Sequence, residues 1–235
     1  MSKKAVILSG GLGIRLRPLT EAIPKPLLPI GEKAILEIQI EQLKRHGVTE
    51  IFLATNYMSE YIENFFGDGS RYGVKLNISK EKKPLGTVGP IHLLRKQLEG
   101  DPFILMNGDI ITLLDFTEFY DTACSNDAML NVSIKKIVTP YEFGNIYFDG
   151  DRVTKIEEKK DIITYALAGI YVLKPEIFDL VPENQYFGMD MLIMKMLEND
   201  IPINKYEINE YWLDVGNIED YQKINESIDI LAIDQ

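Results

Sequence analysis

Two patterns alternate along the chain: short continuous apolar runs that stop at glycine, and stretches in which apolar residues recur every three or four positions. Ala5-Val6-Ile7-Leu8 reads as a buried strand and ends at Ser9-Gly10-Gly11-Leu12-Gly13. These glycines and the prolines beyond them keep the chain to about Pro29 from forming a regular element, which predicts a long loop directly after the strand. Ile35, Leu36, Ile38, Ile40 and Leu43 then follow a helical spacing up to His46-Gly47, where the glycine suits a C-terminal cap. A strand over 51–54, a short helix capped by Ser59 and running to Phe66, a strand over 74–78, a helix over 88–98 and a strand over 103–106 complete the first ~110 residues. Strand and helix alternating in this way imply a mostly parallel sheet covered on both faces.

Beyond residue 110 the pattern changes. Segments over 129–135, 145–148, 153–157 and 165–173 predict antiparallel or mixed strands, with a turn at Asp149-Gly150-Asp151. Helices are expected over 175–180, 189–198 and 218–231, with Ile218, Tyr221 and Ile224 facing the core. With no internal repeat and no Pro/Ser-rich linker, residues 1–235 read as a single mixed α/β domain carrying a small extra sheet.

Composition narrows the possible partners. The 235 residues are 46% hydrophobic and 26% charged, as in an ordinary soluble domain. A net charge of −11 argues against nucleic acid or an anionic membrane as partner, so any bound anion must be met by local cations. One cysteine, Cys124, and two histidines exclude an internal disulfide and a His/Cys zinc site. The apolar runs are far short of the ~20 residues of a membrane helix and no signal-peptide core is present, so a cytoplasmic location is expected.

Local cations are found in the loop after the first strand. Gly10-Gly11-Leu12-Gly13-Ile14-Arg15-Leu16-Arg17-Pro18-Leu19-Thr20 puts three glycines and then two arginines at the carboxyl end of that strand, where ligands of open α/β sheets gather. Glycines let main-chain amides approach phosphate oxygens, and Lys25 between Pro24 and Pro26 adds a cation on a stiff stretch. A dinucleotide fingerprint would need another glycine where Leu16 stands, and a P-loop would need Gly-Lys-Ser/Thr; neither is present. Asp109 follows an apolar strand through Asn107-Gly108, and Asp214 follows Trp212-Leu213; each alone could be a turn or helix cap, but hard oxygen donors of this kind suit magnesium.

The string Gly-Gly-x-Gly-x-Arg-Leu-x-Pro-x-Thr followed by Pro-Lys-Pro resembles the signature of the sugar-1-phosphate nucleotidylyltransferases, the NDP-sugar pyrophosphorylases. Leu85-Gly86-Thr87, Asn107-Gly108-Asp109, Glu157-Glu158-Lys159 and Tyr211-Trp212-Leu213-Asp214-Val215-Gly216 extend the similarity, in the family's order, over residues ~4 to ~225. The resemblance implies a three-layer, Rossmann-like (GT-A-like) nucleotidyltransferase fold with a mixed, mainly parallel central sheet and a small additional sheet. The NTP-binding half would cover about 1–110 and the sugar-phosphate-binding half about 111–235, with no C-terminal CBS or β-helix module. It further implies transfer of a nucleoside monophosphate from an NTP to a sugar 1-phosphate with release of pyrophosphate. Arg15, Lys25 and Asp109 would be catalytic; Leu8, Gly10, Gly11, Gly13, Glu81, Gly86 and Thr87 would bind the nucleotide. Gly144, Glu158 and Lys159 would bind the sugar phosphate, although Lys160 stands where many relatives carry proline. Asp109 and Asp214 would hold Mg2+.

Relatives that use thymidine or uridine nucleotides tend to carry glutamine where Glu81 stands. A carboxylate only accepts, and guanine offers two adjacent donors, so Glu81 favours GTP. The string 83–90 likewise resembles the GDP-mannose pyrophosphorylases and bacterial sugar-1-phosphate guanylyltransferases for cell-surface sugars. The same chemistry with dTTP, UTP or CTP is the nearest alternative, and a non-catalytic nucleotide-binding regulatory subunit is the alternative from another class. A glycosyltransferase would be expected to show Asp-x-Asp where Asn107-Gly108-Asp109 stands. The sugar, and whether the protein forms a homo-oligomer, are left open.

Overall fold

The structure is a computed structural model and describes residues 3–158 and 160–227. In chain order its strands are β1 (Lys3–Leu8), β2 (Pro29–Ile30), β3 (Lys33–Ala34), β4 (Val48–Thr55), β5 (Lys75–Lys80), β6 (Phe103–Asn107), β7 (Ile110–Thr112), β8 (Leu130–Thr139), β9 (Asn145–Asp149), β10 (Arg152–Glu157), β11 (Ile162–Leu173), β12 (Ile203–Glu207) and β13 (Trp212–Asp214). The α-helices are α1 (Leu19–Ala22), α2 (Ile35–Arg45), α3 (Ser59–Phe66), α4 (Arg95–Leu98), α5 (Phe116–Ser125), α6 (Met189–Glu198) and α7 (Ile218–Glu226).

Seven strands form the central sheet in the order β12-β8-β11-β6-β1-β4-β5. β5, β4, β1 and β6 run parallel, β11 is antiparallel to both β6 and β8, and β12 rejoins parallel to β8. The parallel half comes from the alternating first part of the chain, as its pattern predicts. Alternation along β1 divides the core: Ala5 and Ile7 face α2, α3 and α5, whereas Val6 faces α4, α6 and the 3₁₀ turns before them. A third apolar cluster, including Leu16, Leu28, Ile35, Val215 and Ile224, seats the amino-terminal loop on α2 and α7. Ile218 and Tyr221 pack against the same cluster, so this helix face is core as expected. The part of the expected last helix beyond residue 227 lies outside the described residues.

Several expectations need correction. The stretch to Pro29 is a chain of single turns, Ile14–Leu16, α1 and Lys25–Leu27, because its prolines stop each turn before it can propagate. Ser59 does not cap α3: Met58, at φ 52°, precedes the helix, and the Ser59 hydroxyl pairs at 2.9 Å with the fully buried Thr55 hydroxyl. The helix over 88–98 is a 3₁₀ segment (Gly89–Leu94) continued by the short α4, and the 175–180 helix is a 3₁₀ segment over Pro175–Asp179. In both, a proline at the start supplies no N–H. Helix α5 and strands β7, β12 and β13 are additional to the predicted elements. Asp115 caps α5 by accepting from the N–H groups of Thr117 and Glu118, both at 2.9 Å.

Candidate active site

β1 and β6 are parallel neighbours in register, Leu8 beside Asn107, so both deliver their following loops to the same sheet edge. There a cavity of about 300 Å³ opens. Leu8, Gly10, Gly11, Glu81, Gly86, Thr87 and Asp109, all singled out by sequence, line it together. Gly10 is closely packed: a Cβ there would lie 3.2 Å from the Asn56 nitrogen, tight enough to push that neighbour by a few tenths of an ångström, and 3.5 Å from Glu81 Oε1. Gly11 has nothing within 4 Å of such an atom, which leaves its main chain open.

Glu81 is fixed at both ends of the residue. Its N–H donates to the Thr55 carbonyl at 2.9 Å, and its Oε2 accepts the Leu85 N–H at 2.9 Å. Burial pushes the Glu81 carboxyl above the usual carboxylate range, and the Leu85 N–H only partly opposes this. The wall from Leu85 to Gly89 is bonded to a strap at 185–189. Val88 and Gly89 N–H both donate to the Phe187 carbonyl at 3.0 Å, and Phe187 N–H donates to Leu85 at 2.8 Å. Gly86, at φ +84°, lets Phe187 approach: a Cβ would lie 2.7 Å from its carbonyl oxygen. The Thr87 hydroxyl accepts the Met189 N–H at 2.8 Å. This strap carries Tyr186 into the cavity wall, where Asn56 and Asn107 also stand. None of these three was predicted. Asn56 could have been found, because it directly follows β4 at the same carboxyl edge.

Of the two predicted metal ligands only Asp109 lines the cavity; Asp214, Lys25 and Arg15 gather around Asp109 outside the lining. Lys25 Nζ donates to Asp109 Oδ2 at 2.6 Å, with the lysine side chain only 10% exposed. β13 pairs antiparallel with β7, Asp214 opposite Ile110, and the Val215 N–H donates to the Asp109 carbonyl at 2.9 Å. The two aspartates are therefore held together through the backbone. Arg15 is exposed, yet both its terminal nitrogens lie 3.3 Å from where a Cβ on Gly216 would stand, and Asp214 Oδ1 lies 3.4 Å from the same point. Burial raises the Asp214 carboxyl, and the Asp109 charge raises it further, against Lys25 and Arg15.

Asp109 Oδ1 and Asp214 Oδ1 are both buried with no hydrogen-bond partner among the described residues. Two desolvated carboxylate oxygens, close to an otherwise cationic corner, fit a hard divalent cation. Among the described residues no group of three or more His, Cys, Asp or Glu could hold a metal. Two carboxylates fit what Mg2+ takes, which is one or two carboxylates with its shell completed by water and phosphate oxygens.

Besides Val215, β1 and α2 clamp the turn bearing Asp109. Gly108 N–H donates to the Leu8 carbonyl at 3.0 Å, and a Cβ on Gly108 would lie 2.5 Å from that oxygen. Gln39 of α2 donates from Nε2 to the carbonyls of Asn107 and Ile110, at 3.0 and 2.8 Å.

Other predicted residues lie apart. Gly13, at φ +61°, turns the loop over Thr20, whose hydroxyl donates to the Gly13 carbonyl at 2.7 Å, and it does not line the cavity. Gly144 and Glu158 flank the exposed β9–β10 hairpin and do not line the cavity either. Within that charged run Glu157 is the partnered acid: it accepts from the Tyr147 hydroxyl at 2.9 Å and from Lys155 at 2.5 Å, and the Lys155 bond holds its carboxyl below the usual range. Lys159 lies outside the described residues. No helix among the described residues is long and apolar enough to cross a membrane.

The family model described as "Nucleotidyl transferase" matches residues 4–229. The "Mannose-1-phosphate guanyltransferase" of Saccharomyces cerevisiae is 34% identical over 228 residues, covering 93% of this chain and 62% of that protein. The chain thus spans 62% of the length of the curated relatives it matches. HddC from Yersinia pseudotuberculosis, solved in complex with GMP-PN, superposes with a TM-score of 0.73 at 29% identity, covering 96% of this chain and 99% of HddC. A Bacillus anthracis structure shares the fold with a TM-score of 0.79 at 24% identity, covering 100% of this chain and 96% of its own.

Proposed function

Because the chain belongs to the nucleotidyl transferase family, we propose that it joins a sugar 1-phosphate to an NTP, with GTP preferred, giving an NDP-sugar and pyrophosphate. The observation that carries this reading is that Lys25, Arg15 and Asp214 gather around Asp109, which lines the same cavity as Glu81. A phosphate oxygen of the sugar 1-phosphate attacks the α-phosphorus of the NTP in line. The bond to the β-phosphate bridging oxygen breaks, and pyrophosphate leaves with that electron pair. The attacking oxygen carries no proton at neutral pH, so the site needs no general base, and positioning and charge neutralisation supply the catalysis.

Each group then has a defined task. The open main chain of Gly10 and Gly11 receives the triphosphate, and Arg15 neutralises charge on the departing pyrophosphate. Lys25 is the buried cation at the reacting phosphate. Asp109 and Asp214 would hold Mg2+, which when bound supplies further charge neutralisation at phosphate oxygens. Glu81, held by Leu85 through Oε2, keeps Oε1 to accept from the guanine ring N–H and amine. The guanylyltransferase names of the yeast and related proteins, and the GMP-PN ligand of HddC, support GTP and make mannose 1-phosphate the first acceptor to try. Gly144, Glu158 and Lys159 are the proposed contacts of the sugar phosphate, and a cytoplasmic place in the making of cell-surface sugars is the setting that fits.

Pyrophosphate release with GTP, dTTP, UTP or CTP against a panel of sugar 1-phosphates tests this. The highest kcat/KM is expected with GTP. Release with no combination would overturn the reaction, and GTP as the poorest donor would overturn the role of Glu81.

A further inference from the structure

Gln39 belongs to none of the groups given a chemical task above. It is 3% exposed, on the face of α2 that packs against the sheet. Its single amide nitrogen spends both hydrogens on the carbonyls of Asn107 and Ile110, the two ends of the four-residue turn that carries Asp109. The other end of the amide has no such use: Oε1 is buried without a partner among the described residues. A buried acceptor left unpaired costs free energy, so packing alone would be better served here by an apolar side chain such as its neighbours Ile38 and Ile40. What the amide adds is the pair of donors. Of the remaining ties on the turn, Gly108 to Leu8 and Val215 to Asp109 are main chain to main chain, and Lys25 holds the Asp109 carboxylate rather than the turn's backbone. The Gln39 clamp is a side chain, and one substitution deletes it.

We infer that Gln39 is a positioning residue for the reaction. By pinning the carbonyls on both sides of Asp109, it sets where that carboxylate stands relative to Lys25 and Asp214. The inference rests on the proposed role of Asp109. Displacements of about 1 Å at a reacting centre can cost on the order of 10² in rate without contact to substrate.

Gln39→Met keeps length and volume and removes both donors. The expected result is a fall in kcat of about tenfold or more with KM for GTP changed less than twofold, measured per folded molecule. Faster amide hydrogen exchange is expected at Val215, whose N–H donates to Asp109, and at Ile110, with exchange in β4 unchanged. A purely structural role would lower the melting temperature and leave kcat per folded molecule alone. A kcat within twofold of wild type would therefore overturn the inference. If the wild-type protein itself released no pyrophosphate with any substrate pair, the proposed reaction would fall. Exchange at Val215 would still test the pinning, and unaltered protection there would overturn it. Should Gln39→Met not fold, Gln39→Asn, which keeps the amide but is too short to span both carbonyls, is read by the same two measurements with the same deciding outcomes.

Discussion

The corner that holds Asp109 and the arm formed by the outer ends of β8 and β11 with the β9–β10 hairpin are opposite solutions to ordering a chain. At the corner one turn is tied to three elements: Gly108 to β1, Asn107 and Ile110 to α2, Asp109 to the segment after β13. In the arm, Ile146, Phe148, Val153, Ile156 and Tyr165 remain exposed, and the Glu157 hydrogen bonds to Tyr147 and Lys155 stay within the hairpin. Order at the corner is established before any substrate arrives. The arm, which carries Gly144 and Glu158, leaves much of its apolar surface in water. Changes at the corner should therefore appear in turnover, and changes in the arm in the affinity for the sugar phosphate or in nothing measurable.

The sharpest way to break this contrast is at the carboxylates. Asp109→Ala and Asp214→Ala are each expected to lower kcat on the order of 10² or more, the scale of losing a preorganised charge stabiliser. A folded Asp109→Ala protein with near-normal turnover in magnesium would end the corner's claim to the chemistry.

Next come paired glycines. Gly108→Ala drives a methyl to 2.5 Å from the Leu8 carbonyl oxygen, backbone against backbone, and should cost about 1–3 kcal/mol of stability by overpacking. Gly144→Ala meets nothing closer than 3.8 Å and should stay within about 0.5 kcal/mol. Urea titrations of both variants measure the difference, and equal losses would erase it.

Glu81 tests the base end of the same cavity. In the proposed role its carboxyl has to be ionised to accept from guanine, and burial raises it above the ordinary range. As pH falls through that raised value, kcat/KM for GTP should drop, earlier than an exposed glutamate would allow. The sign for stability is the reverse: protonated Glu81 no longer opposes burial, so its own contribution to folding improves as pH falls. Glu81→Gln should remove this limb of the pH profile and cost GTP about tenfold relative to UTP. A pH profile unchanged by the substitution would separate Glu81 from base recognition.

The smallest effect belongs to the arm. Phe148→Ser, at a ring 73% exposed, should shift stability by no more than about 0.5 kcal/mol and leave kcat alone.

Legibility in the sequence followed sequence distance. Glycines, Arg15 and Lys25 lie close together in the chain, so their joint chemistry shows as a string, and Asp109 shows because an apolar strand ends just before it. Gln39 gives no such sign: its partners lie 68 and 71 residues away, and the residue itself looks like any polar position on a helix. Tyr186 reaches the cavity on an irregular strap held at Phe187 by the 85–89 wall, so nothing local announces it. Helix α5 was legible in principle, since Phe116, Phe119, Tyr120 and Ala123 follow Asp115 at helical spacing. Strands β7 and β13, three residues each, are too short to show a period, and only their pairing makes them strands.

The ammonium of Lys25 is already engaged by its own protein's carboxylate. Entry of an anion is thus an exchange rather than an addition: the newcomer has to outbid Asp109 for a partner that is shielded from water. A chloride or acetate ion brings one charge and gains little by such a trade, whereas a triphosphate accompanied by a divalent ion can satisfy ammonium and carboxylate at once. Under the proposed reaction the contact would therefore discriminate by valence, and simple salts are expected to compete poorly for the place assigned to the phosphorus.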